Sequence, residues 1–391
     1  MRYDFDSVTP RRGTLSSKWD SAPEGVLPMW VADMDFKTAP AIIDALRRRV
    51  DNGIFGYTRV PDEYYEAVTS WFSRRHGWSI DRDMMIYTSG VVPAISAIIK
   101  ALAKPGENVI VQTPVYNCFF SSIRNNGCVI LESPLVRKGD TYDIDFERLE
   151  LDASNPDTSL MLLCNPHNPA GRLWSSDELR RIAEICAHHG VTVISDEIHC
   201  EFVFDGHHYS PFAPIADAAG CKAVVCVSPS KAFNIAGLQI ANIIAPDEET
   251  RARIDKAINI NEVCDVNPFG VIATIAAYND GEEWLSQLLA YIKGNYDYMK
   301  DYCERHLPDF PIARLEATYL VWMDCTALGL KSEALEEKLI EDVSLWLNAG
   351  TMYGAHDGEG YMRWNIACPR TLLEEGLERF LSFTQKIKVQ L

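Results

Sequence analysis

The middle of the chain alternates short apolar runs with helical patterns, and this alternation constrains the fold more than any other feature. The runs are rich in β-branched residues and cover 108–111, 128–131, 160–164, 191–195, 223–228 and 240–245. Most lack an alternation of polar and apolar residues, which is typical of strands covered by helices on both faces. Repeated strand, helix and strand units connect by right-handed crossovers. The pattern therefore predicts an α/β fold with a mainly parallel sheet.

One of the intervening helices can be predicted in detail. Ser175 and Glu178 form the S-x-x-E pattern of a capping box, and Gly190 is a typical end signal. Between them, Leu179 and Ile182 belong to an apolar stripe at helical spacing. We expect a helix from about Ser175 to the residue before Gly190.

The length of the chain predicts a second, smaller domain. A single hydrophobic core stops growing at about 250–300 residues, and this chain has 391. A long helical pattern begins near Asp280, followed by a strand-like run at 319–323, a helix at 332–348, a strand at 361–367 and a last helix. We predict a large domain over 41–285 and a small α+β domain formed by 1–40 together with 286–391.

Net charge and cysteine content indicate which kinds of partner and which cellular compartment to expect. The formal net charge is −18, which disfavours nucleic acid and anionic membrane surfaces. No apolar run approaches the roughly 18 residues of a transmembrane helix, and the first residues show no signal-peptide core. The 11 cysteines include no C-x-x-C pair, which argues against a zinc ribbon or a thioredoxin-type site. We expect a cytoplasmic protein without a nucleic-acid or membrane partner.

Three predicted strands are each followed by a polar residue, and these three residues indicate a ligand site only when they are considered together. Asp196 follows the run 191–195, Lys231 follows 223–227 and Asn168 follows 160–164. Singly, these residues are usually a cap, a solvated charge and a turn former. Asp196 and Lys231 are 35 positions apart, however, about one crossover unit of ~30 or more residues. We therefore expect all three at one edge of the sheet, where ligands bind in such folds.

A lysine, a carboxylate and an amide at one site suit pyridoxal 5′-phosphate (PLP). The lysine amine can bond to the cofactor aldehyde, the carboxylate can keep the pyridine nitrogen protonated, and the amide can donate to the ring oxygen. Ser228 and Ser230 flank Lys231 with hydroxyls suited to phosphate oxygens. The turn at Gly90, before a helical pattern beginning with Val91 and Val92, offers backbone N–H groups to the same anion.

Seven stretches in a fixed order make the chain resemble a known family. They are 28–35 (PMWVADMD), 55–58 (FGYT), 113–116 (TPVY), 165–171 (NPHNPAG), 195–199 (SDEIH), 228–238 (SPSKAFNIAGL) and 363–367 (RWNIA). The sequence resembles fold-type I PLP-dependent enzymes of the aspartate aminotransferase superfamily, and in detail the cystathionine β-lyase subgroup of PatB/MalY type.

The resemblance implies roles for individual residues around the cofactor. Lys231 bonds to the cofactor and removes the substrate Cα proton, Asp196 pairs with the pyridine nitrogen, and Asn168 reaches the ring oxygen and the substrate. His199 lies near that oxygen, and Tyr116 stacks on the ring. Without the family resemblance, we would interpret His199 as a hydrogen-bonded histidine at the end of a strand and Tyr116 as an aromatic residue of the hydrophobic core.

The resemblance also implies substrate contacts and a homodimer. Arg363 binds the substrate α-carboxylate, and Ala32 and Asp33 line the substrate pocket. Tyr57 donates to the phosphate of the neighbouring subunit, so that the active site is shared. One position departs from many aminotransferases, because Gln239 stands where they carry a phosphate-binding arginine.

The resemblance and Gln239 favour β-elimination of L-cystathionine or related L-cysteine S-conjugates. An aminotransferase uses the same core residues and is the alternative, and a non-catalytic protein on this fold is a third. A metal hydrolase is a further alternative, suggested by the cluster of His199, Glu201, His207 and His208. The spacing lacks an H-E-x-x-H pattern, and a surface turn over 205–208 accounts better for the last two, so we expect no metal.

Overall fold

The computed structural model describes residues 2–204, 206–262 and 265–390. The helices are α1 (Ser17–Asp20), α2 (Pro40–Asn52), α3 (Asp62–His76), α4 (Val91–Leu102), α5 (Cys118–Asn125), α6 (Phe146–Ala153), α7 (Ser176–His189), α8 (Phe212–Ala218), α9 (Glu248–Asn259), α10 (Pro268–Asp280), α11 (Glu282–His306), α12 (Ser332–Val343) and α13 (Arg370–Gln390).

The strands form two principal sheets and two short pairs. They are β1 (Leu27–Pro28), β2 (Met85–Thr88), β3 (Asn108–Val111), β4 (Val129–Glu132), β5 (Val136–Lys138), β6 (Thr141–Asp143), β7 (Thr158–Cys164), β8 (Thr192–Asp196), β9 (Ala223–Val227), β10 (Ala241–Ile244), β11 (Leu320–Asp324), β12 (Leu345–Trp346), β13 (Asn348–Ala349) and β14 (Tyr361–Asn365).

The larger sheet has seven strands in the order β2-β10-β9-β8-β7-β3-β4. From β9 to β4 each neighbouring pair is parallel, as the apolar runs predicted. Strand β10 is antiparallel to both β9 and β2, so one predicted strand runs against the rest. Strand β2 was not among the predicted runs. The α/β fold with a mainly parallel sheet is confirmed.

Local hydrogen bonds explain where two of the helices begin and end. Helix α7 has the predicted capping box between Ser175 and Glu178, and Gly190 closes it at φ 71°. Helix α12 ends at Val343 rather than at 348, so the predicted boundary was wrong. Ser344 takes a left-handed conformation (φ 57°) and donates its N–H to the last turn. The next residues pair as β12 with β1 and as β13 with β14, which a longer helix would prevent.

The second principal sheet has three strands in the order β11-β14-β13 and follows the long helix α11. Apolar residues of α11 at helical spacing, including Leu285, Leu288 and Ile292, are buried. Their burial in one apolar cluster with residues of both sheets stabilises the arrangement. The division into domains at 41–285 and at 1–40 with 286–391 stays a prediction.

The fold places the site at one edge of the larger sheet. Strands β7, β8 and β9 are adjacent, and Cys164, Asp196 and Cys226 are aligned across them. The segments that follow these strands therefore leave the sheet side by side. Among the described residues, no helix is long and apolar enough to cross a membrane.

Candidate active site

A cavity of about 270 Å³ opens at the carboxyl ends of β7, β8 and β9. Most of the predicted site residues line it: Ala32, Gly90, Val91, Val92, Tyr116, Asn168, Asp196, His199, Ser230 and Lys231. Gln239 and Cys164 are also in its wall. Four predicted residues are not part of this lining, namely Asp33, Ser228, Arg363 and Tyr57. Residues from six segments distant in sequence thus meet at one place.

Asp196 and Lys231 come together because their strands are neighbours. Asp196 ends β8 opposite Cys226 of β9, and Lys231 follows β9 in a tight turn. The Asp196 carboxylate is buried, and its Oδ1 accepts the backbone N–H of Ile198 at 3.1 Å. Lys231 Nζ donates to the carbonyl oxygen of Ala32 at 2.7 Å. A buried acid and a partly buried amine therefore face one cavity without a direct hydrogen bond between them.

Burial shifts the pKa values of both groups toward neutrality. It raises the pKa of Asp196 to about 6, since only the Ile198 N–H and the charge of Lys231 oppose it. Burial and the nearby Arg363 guanidinium lower the pKa of Lys231 to about 8. Desolvation disfavours the charged form of each group. Perturbed titration in a cavity is typical of groups that exchange protons in a reaction.

Asn168 and Arg363 connect the two sheets at the cavity. Arg363 lies on β14, and its Nη1 donates to Asn168 Oδ1 at 3.2 Å. Its Nη2 donates to the carbonyl oxygen of Trp30 at 2.7 Å, and its guanidinium lies 4.7 Å from the ring centroid of Tyr353. The Nε atom is buried without a hydrogen-bond partner in the structure. Two of its five N–H donors are thus used, and the guanidinium is held in place.

His199 and Tyr116 contribute rings to the cavity. His199 is buried, and its Nδ1 has no hydrogen-bond partner in the structure. Burial lowers the pKa of His199 well below its ordinary value, so the ring is neutral. Burial and then the neighbouring Cys118 raise the pKa of Tyr116 well above its ordinary value. Both rings therefore enter the site as neutral groups.

The predicted anion-binding groups divide into two sets. Gly90, Val91 and Val92, at the N-terminus of α4, line the cavity together with Ser230. The first N–H groups of a helix attract anions. Ser228 Oγ instead donates to the carbonyl oxygen of Ile240 at 2.6 Å and accepts the backbone N–H of Ser230 at 3.1 Å. The Ser228 hydroxyl thus braces the turn before Lys231.

The N-terminal segment 30–36 closes one side of the cavity. Ala32 lines it, whereas Asp33 pairs with Arg11 at 2.6 Å. Asn365 Nδ2 donates to the carbonyl oxygens of Val31 (2.5 Å) and Asp33 (2.6 Å). Side-chain donors therefore hold this irregular segment through its carbonyl groups.

Three residues near the site were not predicted from the sequence. Tyr353 lies against Arg363, Tyr319 OH donates to the carbonyl oxygen of Ala32 at 2.9 Å, and Cys118 adjoins Tyr116. The position of Cys118, two residues after Tyr116, was the one local signal available. Tyr319 and Tyr353 reach the site only through the fold.

Two other predictions concern residues away from the cavity. Tyr57 is fully exposed, in a segment with the exposed Ile54 and Phe55. Glu201, one of the candidate metal ligands, accepts hydrogen bonds from Trp71 Nε1 (2.6 Å) and Arg75 Nε (2.9 Å). These donors occupy its oxygens. Position 205 of the predicted turn lies outside the described residues.

The residues present fit PLP. The buried Asp196 carboxylate makes no ion pair in the described part of the chain, and a protonated pyridine nitrogen would provide one. The free Nδ1 of His199, the amine of Lys231 and the N-terminus of α4 could serve as contacts for the ring oxygen, the aldehyde and the phosphate. This fold and this site together define a fold-type I PLP-dependent enzyme.

Comparison with known proteins agrees with this class. Residues 25–380 match the family model "Aminotransferase class I and II". The chain is 43% identical to cystathionine beta-lyase PatB of Bacillus subtilis over 96% of this chain and 98% of the relative. It is 34% identical to protein MalY of Escherichia coli over 99% of this chain and 100% of the relative. The crystal structure of cystalysin from Treponema denticola, which contains PLP, superposes with a TM-score of 0.95 at 34% identity, covering 99% of this chain and 100% of that chain.

The chain belongs to the aminotransferase class I and II family. The predicted resemblance to PatB and MalY is confirmed, and so is the predicted fold class.

Proposed function

We propose that this protein is a PLP-dependent C–S β-lyase that acts on L-cystathionine or a related L-cysteine S-conjugate. The observation that carries the proposal is the 43% identity with a cystathionine β-lyase across 96% of the chain. The comparisons bear out the predicted cofactor and reaction class. The particular substrate is inferred from the relatives' names, and the role of each residue rests on the geometry of the site.

Lys231 is the base of the reaction. Bound PLP supplies an aldehyde that bonds to amino groups and a ring that accepts the electrons left on Cα. Lys231 Nζ lies in the cavity wall with a pKa of about 8. It exchanges a proton near neutral pH, which suits removal of the substrate Cα proton.

Asp196, Asn168 and His199 hold the ring of the cofactor. The Asp196 carboxylate would pair with the pyridine nitrogen and keep its proton in place. Asn168 Nδ2 and the neutral His199 ring would contact the ring oxygen. Their burial keeps water away, and a dry site strengthens each of these polar contacts.

Arg363 binds the α-carboxylate of the substrate. Its guanidinium is fixed by Asn168, Trp30 and Tyr353 and has a free Nε donor. Ala32 and Asp33 would border the substrate, and Tyr116 would stack on the cofactor ring. The N-terminus of α4 at Gly90–Val92 and the Ser230 hydroxyl would bind the phosphate, with Ser228 bracing the turn.

The net reaction removes the Cα proton, breaks the Cβ–S bond and releases the sulfur as a thiol. One water is consumed, and pyruvate and ammonia are the other products. With L-cystathionine the thiol is L-homocysteine. Gln239 in the cavity wall replaces the arginine of many aminotransferases, so the phosphate is held by neutral donors.

A homodimer in the cytoplasm completes the proposal. Tyr57 is fully exposed beside Ile54 and Phe55, and a second subunit covering this segment would bring Tyr57 to the partner's phosphate. The cysteines that the structure describes are free thiols, which suits a reducing compartment.

The test is incubation of the PLP-loaded enzyme with L-cystathionine and other cysteine thioethers. Pyruvate and thiol should appear in equal amounts, without added 2-oxo acid. Brisk amino transfer to 2-oxoglutarate without pyruvate formation would favour the aminotransferase alternative and refute the proposal. A protein that takes up no PLP would refute both.

A further inference from the structure

Glu197 is a buried carboxylate directly after Asp196, and it accepts hydrogen bonds from uncharged donors. It is fully buried. Its Oε1 accepts from Ser195 Oγ (2.8 Å), the backbone N–H of Phe212 (3.0 Å) and Asn165 Nδ2 (3.4 Å). Its Oε2 accepts from the hydroxyl of Tyr209. Within the described part of the chain, no lysine, arginine or histidine forms an ion pair with it.

The four donors belong to three segments, two of which carry site residues. Ser195 is on β8, next to Asp196. Asn165 begins the segment 165–171, which contains Asn168. Tyr209 and Phe212 lie on the segment that leads from His199 into α8. A single carboxylate thus holds the end of β8 against the segment after β7 and the start of α8.

Glu197 faces away from the cavity. Its side chain shares the side of Ser195, with which it forms a hydrogen bond, whereas successive residues of a strand point to opposite faces. It is not part of the cavity lining, and Asp196 is. Any effect of Glu197 on the cofactor must therefore act through the position of its neighbours.

We propose that Glu197 is the positioning residue that sets the Asp196 carboxylate and the Asn168 amide at the spacing required by the cofactor ring. The proposal rests on PLP binding in this cavity. Removing the carboxylate breaks the side-chain links from Asn165 and from the start of α8 to the end of β8, so that only the backbone hydrogen bond from the Asn165 N–H to the Asp196 carbonyl oxygen (3.0 Å) still joins Asn165 to β8. It also leaves the buried Ser195 hydroxyl and the Phe212 N–H without their acceptor, which is unfavourable. A misplacement of about 1 Å in such a site can cost about 100-fold in function.

The carboxylate geometry predicts which substitution preserves the arrangement. In Glu197→Gln, the amide oxygen can keep the three contacts of Oε1, and the amide N–H can donate to the oxygen of Tyr209. In Glu197→Ala all four contacts are lost. Rescue by glutamine would therefore show that hydrogen-bond geometry is what Glu197 supplies.

The experiment titrates PLP into the apoenzyme of each variant and records the visible absorbance and circular dichroism of the bound cofactor. Glu197→Ala should bind PLP about 100-fold more weakly, with reduced circular dichroism. Glu197→Gln should stay within about tenfold of the wild type. The control is Asp324→Ala, which removes another buried carboxylate, one that accepts from the N–H (3.0 Å) and hydroxyl (2.6 Å) of Thr326 and pairs with Arg137.

The outcomes separate this inference from the proposed function. If wild-type apoenzyme takes up no PLP, the proposed function fails. If the wild type binds PLP and Glu197→Ala binds it equally well with an unchanged spectrum, the positioning role alone is refuted. Equal weakening in Asp324→Ala also refutes it, because a general loss of stability would then suffice.

A second variant tests the positioning role of Glu197 if Glu197→Ala does not fold. The double substitution Ser195→Ala with Tyr209→Phe removes one donor from each oxygen of Glu197 and leaves the other two. PLP affinity should fall about tenfold. An unchanged affinity and spectrum in this folded variant would overturn the proposal.

Discussion

Arg363 Nη1 donates a hydrogen bond to Asn168 Oδ1 over 3.2 Å. Asn168 follows a strand of the seven-stranded sheet, and Arg363 lies on the three-stranded sheet. The proposed cofactor contact and the proposed substrate contact are therefore linked before any ligand binds. A substitution of either residue should therefore alter the position of the other side chain.

Replacing Arg363 should damage substrate binding more than turnover. Lysine at this position keeps the charge but loses the bidentate fork and the contact with the Tyr353 ring. Each hydrogen bond to a charged group contributes about 1.5–3 kcal/mol, so KM for L-cystathionine should rise about 10- to 100-fold in Arg363→Lys. Steady-state kinetics test this, with Arg180→Lys on the exposed face of α7 as control. A changed kcat with an unchanged KM would contradict the assigned role.

Replacing Lys231 should abolish both turnover and the covalent link to PLP. Lys231→Ala removes the base and the amine that bonds to the aldehyde, so activity should fall by at least about 10⁴-fold. Borohydride reduction followed by peptide mapping should label Lys231 in the wild type. A label on another lysine would overturn the assignment, and Lys222→Ala serves as the neighbouring control.

Uptake of PLP by the apoenzyme should accelerate as pH rises. The pKa of Lys231 is lowered to about 8 by burial and by Arg363, and only the unprotonated amine attacks an aldehyde. The rate should therefore rise with pH and level off above about pH 8. Asp33 raises this pKa, so Asp33→Asn should move the midpoint to lower pH and Arg363→Met to higher pH. Stopped-flow absorbance measures the rate, and identical midpoints in all three proteins would count against this account.

Hybrid dimers should reveal whether the active site is shared. Lys231→Ala and Tyr57→Ala should each be defective as homodimers. In a hybrid of the two, one site combines an intact Lys231 with an intact Tyr57 from the other subunit, and the second site has neither. Co-expression with two affinity tags should therefore recover activity near half that of the wild type. Hybrids no more active than the Tyr57→Ala homodimer would refute a shared site.

Glu201 should contribute strongly to stability at neutral pH. It accepts from Trp71, Arg75 and His76, and its pKa lies below the ordinary value of 4.5 despite its burial. Such a group stabilises the fold above its unfolded pKa, and the contribution is lost as pH falls through its lowered pKa.

Removing this buried partner should cost about 3–5 kcal/mol of unfolding free energy. Urea unfolding of Glu201→Ala at neutral pH measures the loss, which should shrink on acidification. Glu184→Ala, which breaks an exposed pair with Arg180, should change the free energy by less than about 1 kcal/mol. Equal effects of the two substitutions would contradict the prediction.

Features that depend on neighbours in sequence could be predicted from the sequence itself. The capping box of Ser175 and Glu178 formed as expected because its donors and acceptors are three residues apart. Asp196, Lys231 and Asn168 met at one edge because parallel strands leave a sheet on the same side. The family resemblance added further candidate site residues, such as Arg363 and His199, which hydrophobic periodicity does not reveal.

The tertiary structure decided what depends on residues far apart in sequence. In the structure the Ser228 hydroxyl donates to the Ile240 carbonyl oxygen, β10 runs antiparallel to β9, and α12 ends at Val343. The fold also brought the carboxylate of Glu197 to Asn165 and Tyr209. A buried polar group must find a partner wherever the fold supplies one. Such partners are chosen by packing in space, and no local pattern in the chain encodes them.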